Sequence, residues 1–85
     1  MAREIEILPR ARGELKTLPP KLQREAIEAI DSLAGDPHPP DSVRLRGRND
    51  YHRLRLGGYC IVYRIRPGKI LVIRVAPRGT VYRGL

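Results

Sequence analysis

YHRLRLGGYCIVYRIR, residues 51–66, alternates apolar and charged side chains on both sides of a double glycine. A period of two marks extended strands whose successive side chains point to opposite faces, and a glycine pair supplies a tight reversal. The stretch is therefore expected to form a hairpin. Its four arginines, Arg53, Arg55, Arg64 and Arg66, fall on one face together with Cys60 and Val62. Arginine is seldom buried. That face is expected to lie open to water, while Leu54, Leu56, Tyr59, Ile61, Tyr63 and Ile65 point toward a core.

The same period extends outward on both sides. Val43 to Arg46 and Lys69 to Ala76 read as two further strands, joined to the hairpin by the short turns GRND and RPGK. Strands linked so tightly are antiparallel neighbours. Continuing the alternation places Leu45 with the core residues and Arg44 and Arg46 with the arginine face. On the last strand Leu71, Ile73 and Val75 oppose Ile70, Val72 and Arg74, so it is expected to be central and buried on both sides.

Ahead of these strands the pattern changes. Arg3 to Leu8 alternates as a short strand and is closed by Pro9, which lacks an N–H for a ladder. Ala11, Leu15 and Leu18, then Leu22, Ala26, Ile30 and Leu33, recur at three or four, the helical period. Pro19-Pro20 divides them into two helices, and Gly35 stops the second before the polar loop DPHPPDS. The expected fold class is α+β. An N-terminal strand and a helical hairpin pack on one face of a mainly antiparallel sheet of four to five strands, and residues 1–85 form a single domain.

Charge is divided along the chain. Residues 1–42 carry six Lys or Arg against eight acids, whereas residues 43–85 carry eleven basic residues against Asp50 alone. A half with net charge +10 points to a polyanionic partner, because phosphate contacts from Lys and Arg supply most non-specific nucleic-acid affinity. MAREIEILPR lacks the apolar run of a signal peptide, and no stretch approaches a membrane span. With Cys60 as the sole cysteine there is no intramolecular disulfide. A cytoplasmic protein without membrane contact is expected.

Two histidines, one cysteine and acids mostly on the helices offer no metal-ligand cluster, so neither a metal nor another cofactor is expected. His52 has the wrong parity for the basic face and His38 sits in the proline-rich loop. Cys60 reads as a small filler beside Val62.

Taken in order, these pieces resemble a known family. The strand is followed by A-x-x-x-L-x-x-L-P (Ala11, Leu15, Leu18, Pro19), L-x-G (Leu45, Gly47), the tyrosines and arginines Tyr51, Arg53, Arg55, Tyr59 and Tyr63, and a final V-x-P-R-G-x-x-Y. This arrangement is similar to the RelE/ParE superfamily of toxins from toxin–antitoxin systems, over essentially the whole chain. The resemblance implies the RelE-like microbial RNase fold and a cognate RelB-like antitoxin. In the RelE-like branch it implies a ribosome-dependent endoribonuclease that cuts mRNA in the A site through the ribose 2′-OH. In the ParE-like branch it implies inhibition of DNA gyrase without nuclease chemistry. A third reading is a weakened member that binds RNA or antitoxin without cutting.

Carried over position by position, the RelE-like catalytic set matches Arg53, Arg55, Arg78 and Tyr82. Arg44, Arg46, Arg64 and Arg83 are the accompanying candidates for RNA contact. One position departs from the pattern: where an arginine usually follows the tyrosine that begins the next strand, this chain has Cys60. Arg46 and Arg64 are the candidates to supply the missing charge. Guanidinium groups suit phosphate charge and are poor general bases. The expected catalysis is therefore electrostatic and positional, with Tyr82 stacking on a base, orienting the ribose hydroxyl, or serving as a base beside Arg78.

Overall fold

The computed structural model describes every residue except Met1, Arg48, Asn49 and Gly84. The elements run β1 (Glu4–Ile7), α1 (Pro9–Lys16), α2 (Pro20–Ser32), β2 (Ser42–Arg44), β3 (Tyr51–Leu56), β4 (Tyr59–Arg66) and β5 (Lys69–Pro77). The two central positions of the expected GRND turn lie outside the described residues.

Proline places both helix starts. Pro9 and Pro20 occupy the first helical turn, where a missing N–H costs nothing. The break between the helices is bridged by Gln23, whose side-chain amide donates to the carbonyl of Leu15 at 2.9 Å. That carbonyl is among those left without intrahelical partners at the end of α1. Helix α2 ends at Ser32, and the turn through Gly35 forms without a left-handed glycine. Positive φ occurs instead in the strand connections, at Gly57 (60°) and at Gly68 (70°). Gly68 follows Pro67, the residue pair favoured at the centre of a type II turn.

The strands form one sheet in the order β1-β5-β4-β3-β2. The pairs β2/β3, β3/β4 and β4/β5 are antiparallel, and β1 joins β5 in parallel with Glu4 opposite Lys69. The expected α+β arrangement with a central last strand is thus the observed one. Both helices cover one face, where Ala11, Leu15, Ala26, Ile30 and Leu33 meet Leu54, Ile61, Tyr63, Ile70, Val72 and Val75.

Three expectations from strict alternation are corrected. Arg44 lies opposite His52 and Ser42 opposite Leu54, so Arg44 projects on the helix side and not with Arg53. Facing partners share a face, and parity cannot be carried across a connection whose length in the ladder is unknown. Leu45 accordingly packs in a second apolar cluster on the far face, with Cys60, Val62, Ala76 and Val81. The second correction concerns β5: its register against β4 slips between Val62 and Tyr63, so that Arg74 faces Val62 and Val72 faces Tyr63. This bulge leaves Ile73 and Arg74 together on the far side, while Val72 and Val75 both enter the helix-side core.

Third, the far face is not open throughout. After Pro77 the chain folds back in successive turns, with the N–H groups of Thr80 and Val81 donating to the Pro77 carbonyl and that of Arg83 to Thr80. Val81 is wholly buried against Cys60, Val62 and Ala76. A polar arginine-bearing face therefore carries a small apolar patch, and the C-terminal turns are its lid.

Ile61 is fully buried at the centre of β4 between helices and sheet neighbours. Ile61→Ala is expected to lower unfolding free energy by about 2–5 kcal/mol in urea denaturation; a loss under about 1 kcal/mol would contradict this view of the core.

Candidate functional site

Side chains facing each other across the sheet form rows on the far face. Arg55, Cys60 and Ala76 make one row across β3, β4 and β5, and Val43, Arg53, Val62 and Arg74 make the next. Beyond the first row the ladder continues past Pro77, for the Arg78 N–H donates to the Gly58 carbonyl at 3.0 Å. This bond sets Arg78 beside the β3–β4 turn. The C-terminal turns then return Tyr82 over the same place. Arg53, Arg55, Gly58, Cys60, Arg78, Gly79 and Tyr82 together line an open cleft of about 720 Å³. All four residues matched to the RelE-like catalytic set are thus gathered in one concavity.

Ion pairing separates these arginines from Arg64, Arg66 and Arg74. Arg64 donates through Nε and Nη2 to Asp50 at 2.8 and 2.6 Å, and Arg66 lies 3.6 Å from the same carboxylate. The paired guanidinium holds the Asp50 carboxyl below its usual range, and the carboxylate in turn raises Arg64. Arg64 also lies 5.0 Å from the ring centre of Tyr51. Arg74 is buried and bound to Glu14 at 2.7 Å. Among the described residues, Arg53, Arg55 and Arg78 have no such carboxylate partner. Positive charge converges in the cleft with no carboxylate of the described residues at ion-pair distance, although Asp41 shares a neighbouring hollow with Arg53 and Arg55, and such convergence favours an anion.

Cys60 lies at the floor of the cleft, 1% exposed. Of the two arginines considered as substitutes for its missing charge, Arg64 is bound to Asp50, whereas Arg46 shares an adjoining hollow with Tyr82, Leu45 and Leu85. Arg83 has an exposed side chain outside the residues that line the cleft. Arg44 belongs to a different hollow on the helix side, with His38, Ser42, Asp50 and His52. Sequence reading passed over Arg74 and Glu14, and Asp41 beside Arg53 and Arg55. Glu14 and Arg74 are 60 positions apart, and no local pattern joins them.

The helix-side hollow is a packing site for the loop after α2. Tyr63 donates its hydroxyl to the Pro37 carbonyl at 2.7 Å, His52 stacks on Tyr63, and His38 meets His52 edge-on at 5.2 Å. Burial pushes the Tyr63 phenol up. Burial also pushes His52 below 6.5, and the His38 and Arg44 charges add to that shift.

Comparison with known proteins identifies the family. A family described as ParE toxin of type II toxin–antitoxin system, parDE, matches residues 5–82. The chain belongs to this toxin family. The RelE1 protein of Methanocaldococcus jannaschii is 32% identical over 78 residues, covering 87% of each chain. In Pyrococcus horikoshii, the toxin of a solved RelE–RelB complex is 28% identical with a TM-score of 0.82, over 95% of this chain and 100% of that one. The same fold recurs in an arginine-to-alanine double mutant of Escherichia coli toxin RelE in the free state, at 22% identity and TM-score 0.80, over 94% and 88% of the two chains. These RelE likenesses place the toxin on the RelE-like side of the RelE/ParE superfamily.

Below pH 6.5 the unfolded toxin binds a proton at His52 that the folded toxin excludes, so stability from this group holds above that pH and is lost on acidification. The melting temperature is expected to fall between pH 6.5 and about 5, and His52→Phe, which keeps the ring on Tyr63, is expected to flatten that fall. An equal slope in both proteins would refute the assignment.

Proposed function

We propose that this toxin is an mRNA endoribonuclease that cuts on the ribosome, and that a RelB-like antitoxin silences it. The observation that carries the reading is the convergence of Arg53, Arg55 and Arg78, without ion-paired carboxylates among the described residues, around Tyr82 in one cleft.

In the proposed reaction the ribose 2′ oxygen bonds to the adjacent phosphorus and the bond from phosphorus to the 5′ oxygen breaks. The 2′ hydroxyl loses its proton and the departing 5′ oxygen gains one. Arg53, Arg55 and Arg78 stabilise the charge that develops on the phosphoryl oxygens, which guanidinium groups do as permanently charged, fork-shaped donors. Tyr82, 44% exposed, offers its ring to a base and its hydroxyl to the ribose, so that nucleophile and phosphorus are held in line. Arg46, approaching Tyr82 from the adjoining hollow, supplies the charge that Cys60 does not. The ribosome presents the RNA, and the antitoxin covers the unpaired arginines with carboxylates.

The family description names ParE, and the competing ParE-like reading is inhibition of gyrase by binding alone. A translating system with one defined mRNA distinguishes them: new 5′ ends are mapped by primer extension with and without ribosomes, beside a gyrase supercoiling assay. Cuts that require ribosomes support the proposal; intact mRNA with inhibited supercoiling overturns it.

Arg78 and Tyr82 are exposed, so Arg78→Ala and Tyr82→Ala are each expected to slow cleavage roughly 100-fold or more while stability changes by less than about 0.5 kcal/mol. Full activity in both would remove the site assignment. Arg46→Ala is expected to slow cleavage by about tenfold or more, whereas Arg64→Ala is expected to act on stability instead, by removing the nearer of the two guanidinium partners of Asp50.

A further inference from the structure

We infer that Glu14 and Arg74 act as positioning residues for Tyr82: they form a clasp that holds the C-terminal turns against the sheet and so presents the tyrosine to the cleft. This role rests on the reading of the cleft given above.

The clasp begins at an edge. β1 pairs with β5 only as far as Val72, and the Leu8 N–H donates to the Val72 carbonyl as the chain departs into α1. Beyond that point the edge of β5 lacks a strand. Glu14, on α1, takes its place by accepting the Val75 N–H on Oε1 at 2.9 Å. Its other oxygen, Oε2, accepts from Arg74 Nε at 3.0 Å and Nη2 at 2.7 Å. The remaining arm of Arg74, Nη1, donates to the carbonyls of Arg83 at 2.8 Å, Val81 at 3.2 Å and Thr80 at 3.5 Å. Those carbonyls flank Tyr82 on both sides.

Arg74 is 6% exposed, and its charge is placed there at a cost that only complete pairing offsets. Both halves of the guanidinium are used, one on the carboxylate and one on the backbone of the turns. Lysine cannot reproduce this, because a single ammonium on a flexible stem lacks the rigid fork. The β5 bulge supplies the aim, since it turns Arg74 onto the far side of the sheet. Tyr82 itself is about half exposed and has no side-chain hydrogen bond of its own among the described residues. Its placement depends on the backbone beneath it.

The test uses Glu14→Gln and Arg74→Lys, alone and combined with Tyr82→Ala. Amide hydrogen exchange follows residues 80–83, and single-turnover cleavage is measured on mRNA-programmed ribosomes. Residues 80–83 are expected to lose protection in both single variants while β3 and β4 keep theirs. At saturating ribosomes cleavage is expected to fall roughly tenfold to a hundredfold, with the half-saturating concentration changed less than about twofold because Arg53, Arg55 and Arg78 remain. In the Tyr82→Ala background neither substitution is expected to cause further loss. Unchanged protection of residues 80–83, or losses that multiply in full with that of Tyr82→Ala, would overturn the clasp. Should Arg74→Lys fail to fold, Glu14→Gln decides alone. If the wild type cuts no RNA, the reading of the cleft fails separately, and exchange decides whether the pair holds the turns: selective loss of protection upholds it and retained protection overturns it.

Discussion

Where β1 ends, β5 is left with an unpaired edge inside the fold, and the carboxylate of Glu14 closes it. A buried N–H left without an acceptor costs as much as a lost hydrogen bond. A carboxylate in that position needs a positive partner, and Arg74 provides it. Arg74 then needs acceptors for its other arm, and the carbonyls of the C-terminal turns supply them. Each polar requirement is met by the next element, so that α1, the sheet and the C-terminal turns are joined through one side-chain pair. The apolar counterpart is Val81, buried over Cys60 and Val62, which seals the same turns to the sheet from below.

Charge pairing divides the arginines by task. Arg64 and Arg66 lie against Asp50, the sole acid of the C-terminal half, and fasten the end of the β3–β4 hairpin. Arg74 is spent on the clasp. Arg53, Arg55 and Arg78 have no ion-paired carboxylate among the described residues and line the cleft. A surface of high net charge would be expected to bind polyanions weakly anywhere; pairing of Arg64, Arg66 and Arg74 with carboxylates removes three of the competing positions and leaves the cleft arginines at full charge.

Much of this was legible in the chain itself. The two helices, the four later strands and the far-face position of Arg53 and Arg55 follow from the change of period near Val43 and from proline and glycine at the breaks. The face of Arg44 did not follow, because it is fixed by pairing with His52 across a connection of unknown phase. The sides of Ile73 and Arg74 were hidden by a bulge, which inserts one residue into an alternation that otherwise looks regular. The Glu14–Arg74 pair was illegible for a different reason: α1 reaches β5 only through the parallel β1–β5 pairing, a register no short-range pattern encodes. Arg78 and Tyr82 were found by resemblance, and their approach to Arg53 and Arg55 depends on backbone bonds to Gly58 and Arg74.

The parallel pairing of β1 with β5 also orders events in time. Glu4 meets Lys69, and the clasp spans 60 positions, so the contacts that build the cleft are among the most distant along the chain. Closing such long loops comes late in folding. On a ribosome, which extends the chain from its N-terminus, the helices and the β3–β4 hairpin have their residues before β5 and Tyr82 emerge. A toxin built this way assembles its cleft only after the helices and the hairpin it rests on have been made, so earlier chain lengths lack that surface.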